Sequence, residues 1–185
     1  FSSIRSIINL AIKEHGLEGT NGFLGTFIPD GLRETTRKPI PIDVIRDIQK
    51  TCKEMDDDLR WLIALLSDTG MRLGEAVGLL KSDIILDTDT PHLSLIPHPW
   101  RRLKTSGSER KIPLVGASLW SARRIKQSSP TNPFAFPRYC NEQSHNSNSA
   151  SAALNKWLRT HGPEEYVVHS FRHSMRDRLR AVECP

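Results

Sequence analysis

Two arginines, one lysine and one histidine stand at positions suited to gripping a phosphodiester and moving protons around it. Arg72 follows Thr69-Gly70 near the predicted start of a helix, and Glu75 lies one turn further on, where it can orient the arginine. Lys104 precedes a predicted hairpin tip, where a flexible ammonium can enter a groove of DNA and protonate a departing oxygen. Taken one at a time, Arg72 also fits a surface ion pair and Lys104 a solvated side chain.

The last predicted helix, over residues 169–182, carries the other two groups. At about 100° per residue its polar side chains share one face, opposite an apolar face typical of a protein core. That polar face comprises His169, Arg172, His173, Arg176 and Arg180. His169 and Arg172 lie one turn apart at the helix start, where the dipole and unpaired N–H groups also favour an anion. A guanidinium binds two phosphate oxygens and an imidazole passes a proton, although a solvated basic face is the alternative interpretation.

The elements that must position these groups are mainly helical. Hydrophobic periodicity predicts helices over residues 4–15, 42–54, 57–67, 119–126, 150–160 and 169–182, and another from Leu73 to Leu80. Residues 57–67 are apolar on all sides, which predicts a central buried helix. Short β-prone segments lie at residues 84–86, 92–97, 100–103 and 110–114, and residues 127–149 read as a long loop. The expected class is α+β, mainly helical, with a small antiparallel β-sheet or hairpin.

Three regions are expected along the chain. The sequence starts inside the first helix, so residues 1–15 are predicted to end a preceding domain. Residues 16–41 contain five glycines and three prolines, which is typical of a linker or extended arm. Residues 42–185 hold every candidate functional group and are predicted to form the main domain.

Composition favours a polyanionic partner. The net charge is +5, the isoelectric point is about 9.3, and residues 101–126 contain eight lysines or arginines but one acid, Glu109. Prolines, glycines and apolar strands interrupt this basic stretch, which favours a folded binding surface over a solvated tail. The residues predicted to contact DNA are Arg101, Arg102, Arg110, Lys111 and Arg176. Three scattered cysteines without metal-ligand spacing indicate a reducing, cytoplasmic setting, and no apolar run exceeds six residues, which excludes a membrane span.

Three motifs in a fixed order resemble the catalytic domain of the tyrosine recombinase, or phage integrase, family. They are Thr69-Gly70-Met71-Arg72-Leu73-Gly74-Glu75, then Arg101-Arg102-Leu103-Lys104 followed by Glu109-Arg110-Lys111-Ile112-Pro113-Leu114, then His169-Ser170-Phe171-Arg172-His173. The resemblance covers residues 40–185, and residues 1–15 resemble the last helix of the core-binding domain that precedes a catalytic domain in this family.

The resemblance implies a clamp on duplex DNA and a transesterification that needs no cofactor. It implies that Arg72 and Arg172 hold the phosphate, that Lys104 protonates the leaving 5′-oxygen, and that His169 acts as acid and base. Glu75 and His173 are expected to support them. A tyrosine attacks phosphorus and forms a 3′-phosphotyrosyl link, while the arginines neutralise the developing charge and make a metal unnecessary. Self-association on DNA is expected of the full-length parent.

The nucleophile is the point where the sequence departs from the family pattern. The family places its tyrosine a few dozen residues beyond the His-x-x-Arg motif, whereas this sequence contains only Tyr139, in the predicted loop, and Tyr166, on a short apolar segment. We therefore expect an incomplete catalytic domain that does not cut DNA. The alternatives are a non-catalytic DNA-binding module of helix-turn-helix type, an inactive integrase-like protein and a type IB topoisomerase. The motifs of this sequence resemble those of topoisomerases less closely than those of integrases.

Overall fold

The computed structural model describes residues 2–26, 38–103 and 108–184, which form two compact units, residues 1–36 and 37–185. The first unit contains helix α1, Ser2–His15. Residues 21–26 fold back on α1, because Arg5 donates from Nε to the Phe23 carbonyl and Asn21 Nδ2 donates to the Arg5 carbonyl at 3.0 Å. Residues 27–37, the middle of the predicted linker, lie outside the described residues.

The second unit is built on the buried helix that the sequence predicts. Helix α3, Asp58–Thr69, packs against α2 (Ile42–Met55), α5 (Gly116–Gln127), α6 (Ser147–His161) and α7 (Ser170–Ala181). It begins where the Asp57 carboxylate accepts the Arg60 backbone N–H, as an N-cap does, and it ends at Gly70 in the left-handed conformation. Its side chains from Leu62 to Leu66 are at most 2% exposed, so α3 is the centre of the core.

A three-stranded antiparallel sheet adjoins the helices and confirms the predicted α+β class. Strands β1 (Ile84–Ile85), β2 (His92–Leu95) and β3 (Arg110–Pro113) lie in sequence order, with Leu93 opposite both Ile84 and Ile112. The strand predicted at residues 100–103 is wrong. Arg101 makes a single isolated bridge with His98, because Trp100 and Arg101 turn inward and bond to the fold instead of to a neighbouring strand.

Three further elements differ from the sequence prediction. Helix α4, Leu73–Val77, has five residues and stops before Leu80. It stops at Gly78, where the Arg101 side chain packs so closely that an added Cβ would lie 2.7 Å from Arg101 Cδ. The predicted loop over residues 127–149 contributes to the core through Phe136 and Tyr139, and α6 begins earlier than predicted, after an Asn146 cap. Among the helices that the structure describes, none has the length and apolar character needed to cross a bilayer.

Candidate functional site: an arginine cluster around a buried carboxylate

Arg72 is positioned by the short turn between α3 and α4. Gly70 ends α3 at φ +57°, Met71 is buried, and Arg72 then serves as the N-cap of α4. The Glu75 carboxylate accepts the Arg72 backbone N–H at 2.9 Å and its Nη1 at 2.8 Å. The Glu75 side chain therefore holds both the main chain and the guanidinium of Arg72. This is the geometry that the predicted orienting role of Glu75 requires.

Arg110 reaches the same carboxylate from the sheet. Its Nη2 donates to Glu75 Oε2 at 2.9 Å, and its Nη1 donates to the Ser108 carbonyl at 2.9 Å. Burial raises the pKa of Glu75, but hydrogen bonds from Arg110 and Arg72 outweigh burial, and the pKa lies below its usual value. Glu75 is therefore ionised at neutral pH although its side chain is 6% exposed.

Arg172 enters from α7 and completes the arginine cluster, by which we mean Arg72, Arg110 and Arg172 together with Glu75. Its Nη1 donates to the Gly70 carbonyl at 2.7 Å, two residues before Arg72. Burial, then the charge of Arg72, lower the pKa of Arg172, while Glu75 raises it and Arg110 lowers it further. An arginine remains protonated under such shifts, so the four groups form a coupled site with a formal charge of +2.

Contacts at the end of α3 position α7 and, with it, Arg172. The Asp68 side chain accepts the Ala117 N–H at 2.9 Å and pairs with Arg178 of α7 at 3.1 Å, so one buried carboxylate connects α3, α5 and α7. Gly70 lies so close to α7 that an added Cβ would approach Met175 Cβ to 2.7 Å. The distance between Arg172 and the turn that carries Arg72 is thus determined by packing.

A groove of about 750 Å³ opens beside the cluster. Its basic and imidazole lining consists of Arg110 and Lys111 from β3 and of five residues along α7 and its N-cap, namely His169, Arg172, His173, Arg176 and Arg180. His169 is exposed at the N-cap of α7, and its ring lies 5.2 Å from that of His173. The polar face of α7 that periodicity predicted therefore lines one concave surface. A second, smaller cavity of about 220 Å³ lies on another side of His169.

The remaining candidate residues have different positions. Lys111, Arg176 and Arg102 are exposed, as a contact with DNA requires, and Lys104 lies outside the described residues. Arg101 does not fit its predicted role on the surface, because it is 1% exposed. Its Nη1 donates to the Glu75 carbonyl at 2.8 Å, and its Nη2 donates to the Ile96 carbonyl. Arg101 is therefore a buried structural residue behind α4.

The two tyrosines belong to the protein interior. Tyr139 is 5% exposed and Tyr166 is 9% exposed. Burial raises the pKa of Tyr139, which disfavours a phenolate at that position. Among the residues that the structure describes, the lining of the groove includes neither tyrosine. Packing is the role that the sequence predicts for Tyr166, and its burial agrees with it.

Two features of the site were missed by sequence reasoning. Arg110 was a candidate for DNA contact, yet it bonds to Glu75, which lies 35 residues away in sequence, and no periodicity relates the two positions. Asp68 and Arg178 are separated by 110 residues and showed no motif. A signal was available in the charge of Asp68, since a carboxylate at the end of an otherwise apolar helix needs a partner. Within the described ranges, no group of three or more His, Cys, Asp or Glu side chains is arranged to hold a metal ion.

Comparisons with known proteins identify both a family and a fold. The model of a family described as the phage integrase family matches residues 39–183. A structure of the Tn1549 transposon integrase in complex with circular intermediate DNA is 17% identical, with a TM-score of 0.65 over 98% of this chain and 64% of that chain. XerA recombinase is 13% identical, with a TM-score of 0.60 over 95% of this chain and 59% of that chain.

A lambda integrase dimer bound to a COC' core site is 16% identical, with a TM-score of 0.63 over 97% of this chain and 50% of that chain. At these identities the structural similarity establishes the fold, and this chain spans less than two thirds of each of the three structures. No curated protein matches this sequence.

Proposed function

Because this chain belongs to the phage integrase family, we propose that it forms the catalytic domain of a site-specific DNA recombinase and binds duplex DNA over the arginine cluster. The observation that carries the proposal is the arrangement of Arg72 and Arg172. They are separated by 100 positions in sequence, yet Arg172 Nη1 donates to the Gly70 carbonyl, two residues before Arg72, and Arg172 and His169 line the same groove. Structural neighbours of the same fold are integrases bound to DNA, which supports a DNA partner.

The proposal assigns residues 42–185 to the catalytic domain. Residues 1–15 would be the end of a core-binding domain, and residues 16–41 the linker between the two. A dimer on DNA among the structural neighbours supports self-association of a longer parent protein on its recombination site. DNA recombination, integration and strand breakage with rejoining are accordingly the processes in which we place the parent.

In the proposed reaction, Arg72 and Arg172 bind the non-bridging oxygens of one phosphate. A tyrosine oxygen attacks phosphorus, the bond to the 5′-oxygen breaks, and the enzyme becomes linked to the 3′-phosphate. The guanidinium groups stabilise the charge on the transition state, so cationic side chains neutralise the phosphate as a metal ion does in metal-dependent nucleases. His169 transfers the proton of the nucleophile, with His173 beside it, and Lys104 protonates the 5′-oxygen as it leaves.

We further propose that this polypeptide binds DNA without cleaving it. The interior positions of Tyr139 and Tyr166 support this, because a nucleophile must reach the phosphate held at the cluster. For these residues alone, an inactive integrase-like protein is the second candidate function. A helix-turn-helix module is disfavoured, because the second helix, α4, has five residues and buries Glu75, Ala76 and Val77 instead of presenting them to a groove.

A binding titration tests the function. Affinity for a labelled duplex should fall as salt rises, because neutralised phosphates release counterions, and Arg172→Ala should weaken binding by about tenfold or more. The matched control is Arg159→Ala, which removes the same charge from an exposed position on α6. Equal effects of the two variants, or no binding at low salt, would contradict the proposal.

A cleavage assay distinguishes the two candidate functions. The polypeptide is incubated with a nicked suicide duplex, and a covalent adduct is sought on a denaturing gel. We expect no adduct. An adduct that disappears in Tyr166→Phe would show that a tyrosine of this sequence reaches the cluster and that the binding-only proposal is wrong. In a polypeptide lengthened to include a tyrosine at the family spacing, we expect an adduct that Arg172→Ala abolishes and Lys104→Ala slows.

A further inference from the structure

We propose that Arg110 is a positioning residue of the arginine cluster, which acts through Glu75 and keeps Arg72 available as a cation for the phosphate. The inference rests on the proposed function, because it concerns the same phosphate-binding site. It separates Arg110 from the other basic residues of the groove, which would act by contacting DNA directly.

The bonding of Glu75 supports this role. Oε1 accepts from Arg72 Nη1 at 2.8 Å, whereas Oε2 accepts from the Arg72 backbone N–H at 2.9 Å and from Arg110 Nη2 at 2.9 Å. The other terminal nitrogen of Arg110, Nη1, donates a hydrogen bond to the Ser108 carbonyl. Both terminal nitrogens of Arg110 are therefore engaged by the fold, and its charge is directed at the carboxylate.

The charges around Glu75 show what Arg110 contributes. Its carboxylate is faced by Arg72 at the start of its own helix, by Arg110 from β3 and by Arg172 from α7. Behind the helix, buried Arg101 donates to the Glu75 carbonyl, and the His145 ring lies close to Gly74. With Arg110 present, two cations hydrogen-bond to one anion. Without it, Arg72 would be the only cation bonded to Glu75, and that pair would have no net charge to offer a phosphate.

Loss of Arg110 should also make binding depend on pH. In the native cluster the pKa of Glu75 lies below its usual value, so the carboxylate stays ionised from pH 5 to pH 8. Without Arg110 the effect of burial on Glu75 is less well opposed, and the carboxyl takes up a proton at higher pH. Protonation removes the negative charge beside Arg72. Binding by such a variant should therefore be weakest at pH 8 and recover as the pH falls.

The experiment compares four variants with the wild-type chain by fluorescence anisotropy of a labelled duplex at pH 8, 7, 6 and 5. Each result is the ratio of variant to wild-type dissociation constant at the same pH, so that pH effects common to all the chains cancel. Arg110→Gln should bind about tenfold more weakly at pH 8, with a ratio that falls toward one at pH 5. Arg110→Lys, which keeps the charge but loses the second donor group, should bind more tightly than Arg110→Gln at pH 8, and its ratio should change less with pH.

Two further variants separate this mechanism from simple loss of charge or structure. Lys111→Gln removes one charge from the next residue of β3, which is exposed, and its ratio should not change with pH. The double variant Arg110→Gln/Glu75→Gln removes the carboxylate that Arg110 opposes, so it should bind more tightly than Arg110→Gln at pH 8, and its ratio should not change with pH. Structural damage alone would not be repaired by this second substitution.

The outcomes distinguish this inference from the function on which it rests. If the wild-type chain does not bind DNA, the proposed function fails. If the wild type binds but Arg110→Gln is equally weak at all four pH values, or the double variant is not rescued, the role of Arg110 is overturned. Should Arg110→Gln fail to fold, the double variant is compared with Glu75→Gln alone. If Arg110 acts through Glu75, these two variants should bind within about threefold of each other, and a larger difference overturns the role of Arg110.

Discussion

Substitution of Gly70 by alanine tests whether the turn between α3 and α4 determines the position of Arg172. Gly70 has φ +57°, and an added Cβ would lie 2.7 Å from Met175 Cβ and 2.9 Å from Met175 Cγ. The carbonyl of the same residue accepts the hydrogen bond from Arg172 Nη1 at 2.7 Å. A methyl group at this position must therefore strain the backbone, displace α7, or do both.

The two effects have separate magnitudes. A non-glycine residue in the left-handed conformation costs about 1–2 kcal/mol. Overpacking against Met175 costs about 1–3 kcal/mol, because Cβ is part of the α7 framework and cannot rotate away. We expect Gly70→Ala to lower the free energy of unfolding by about 2–5 kcal/mol, and to weaken duplex binding further because Arg172 moves with α7.

Urea denaturation followed by circular dichroism measures the loss, and a double-mutant cycle with Met175→Gly divides it. Met175→Gly removes both clashing atoms at a helix cost of about 1 kcal/mol, so the double variant should regain about 1–3 kcal/mol relative to additivity. Strict additivity would show that Met175 does not oppose the methyl group. Unchanged stability of Gly70→Ala would refute the whole argument.

Three other perturbations follow from buried groups. Asp68→Ala removes the acceptor of the Ala117 N–H and the partner of Arg178, and should lower the free energy of unfolding by about 2–4 kcal/mol in urea denaturation. A loss of less than about 1 kcal/mol, the contribution of an exposed ion pair, would contradict the role of Asp68. Arg101→Met leaves the Glu75 and Ile96 carbonyls without their buried donor, and thermal denaturation should show a loss of about 2–6 kcal/mol, about 1–3 kcal/mol for each carbonyl. A stable variant with weakened DNA binding would contradict the structural role of Arg101. Burial raises the pKa of Cys52 to about 12 and that of Cys140 to about 11. At pH 8 a thiol reagent should therefore modify exposed Cys184 rapidly, and it should modify Cys52 and Cys140 only when the protein unfolds.

Much of the helical framework and the family could be read from the sequence. Apolar residues on all sides of residues 57–67 predicted a central helix, and Gly70 marked its end, because burial and left-handed backbone impose local requirements on residue type. The periodicity of residues 169–182 placed His169 and Arg172 on one face, and both line the groove. The three motifs in order indicated the integrase family, which the family match confirms.

Local sequence patterns predicted the structure least well where a residue contacts segments that are distant in the sequence. The interval from Leu73 to Leu80 has helical spacing, but close packing of Arg101 against Gly78 accompanies the end of α4 after one turn. Residues 100–103 have β propensity, but the inward bonds of Trp100 and Arg101 prevent strand pairing. In both places a tertiary contact overrode a propensity of a few tenths of a kcal/mol per residue, roughly the scale on which such preferences act.

The sequence by itself determined which side chains could bind a phosphate and which helices carry them, because residue type and spacing along one helix are local properties. The tertiary structure decided how those charges are used. Arg101 and Arg102 are adjacent and chemically identical, yet the first is buried against the Glu75 carbonyl and the second is exposed. Arg110 bonds to Glu75 from another element for the same reason: the energy of a charge depends on the solvent and partners that the folded backbone places around it.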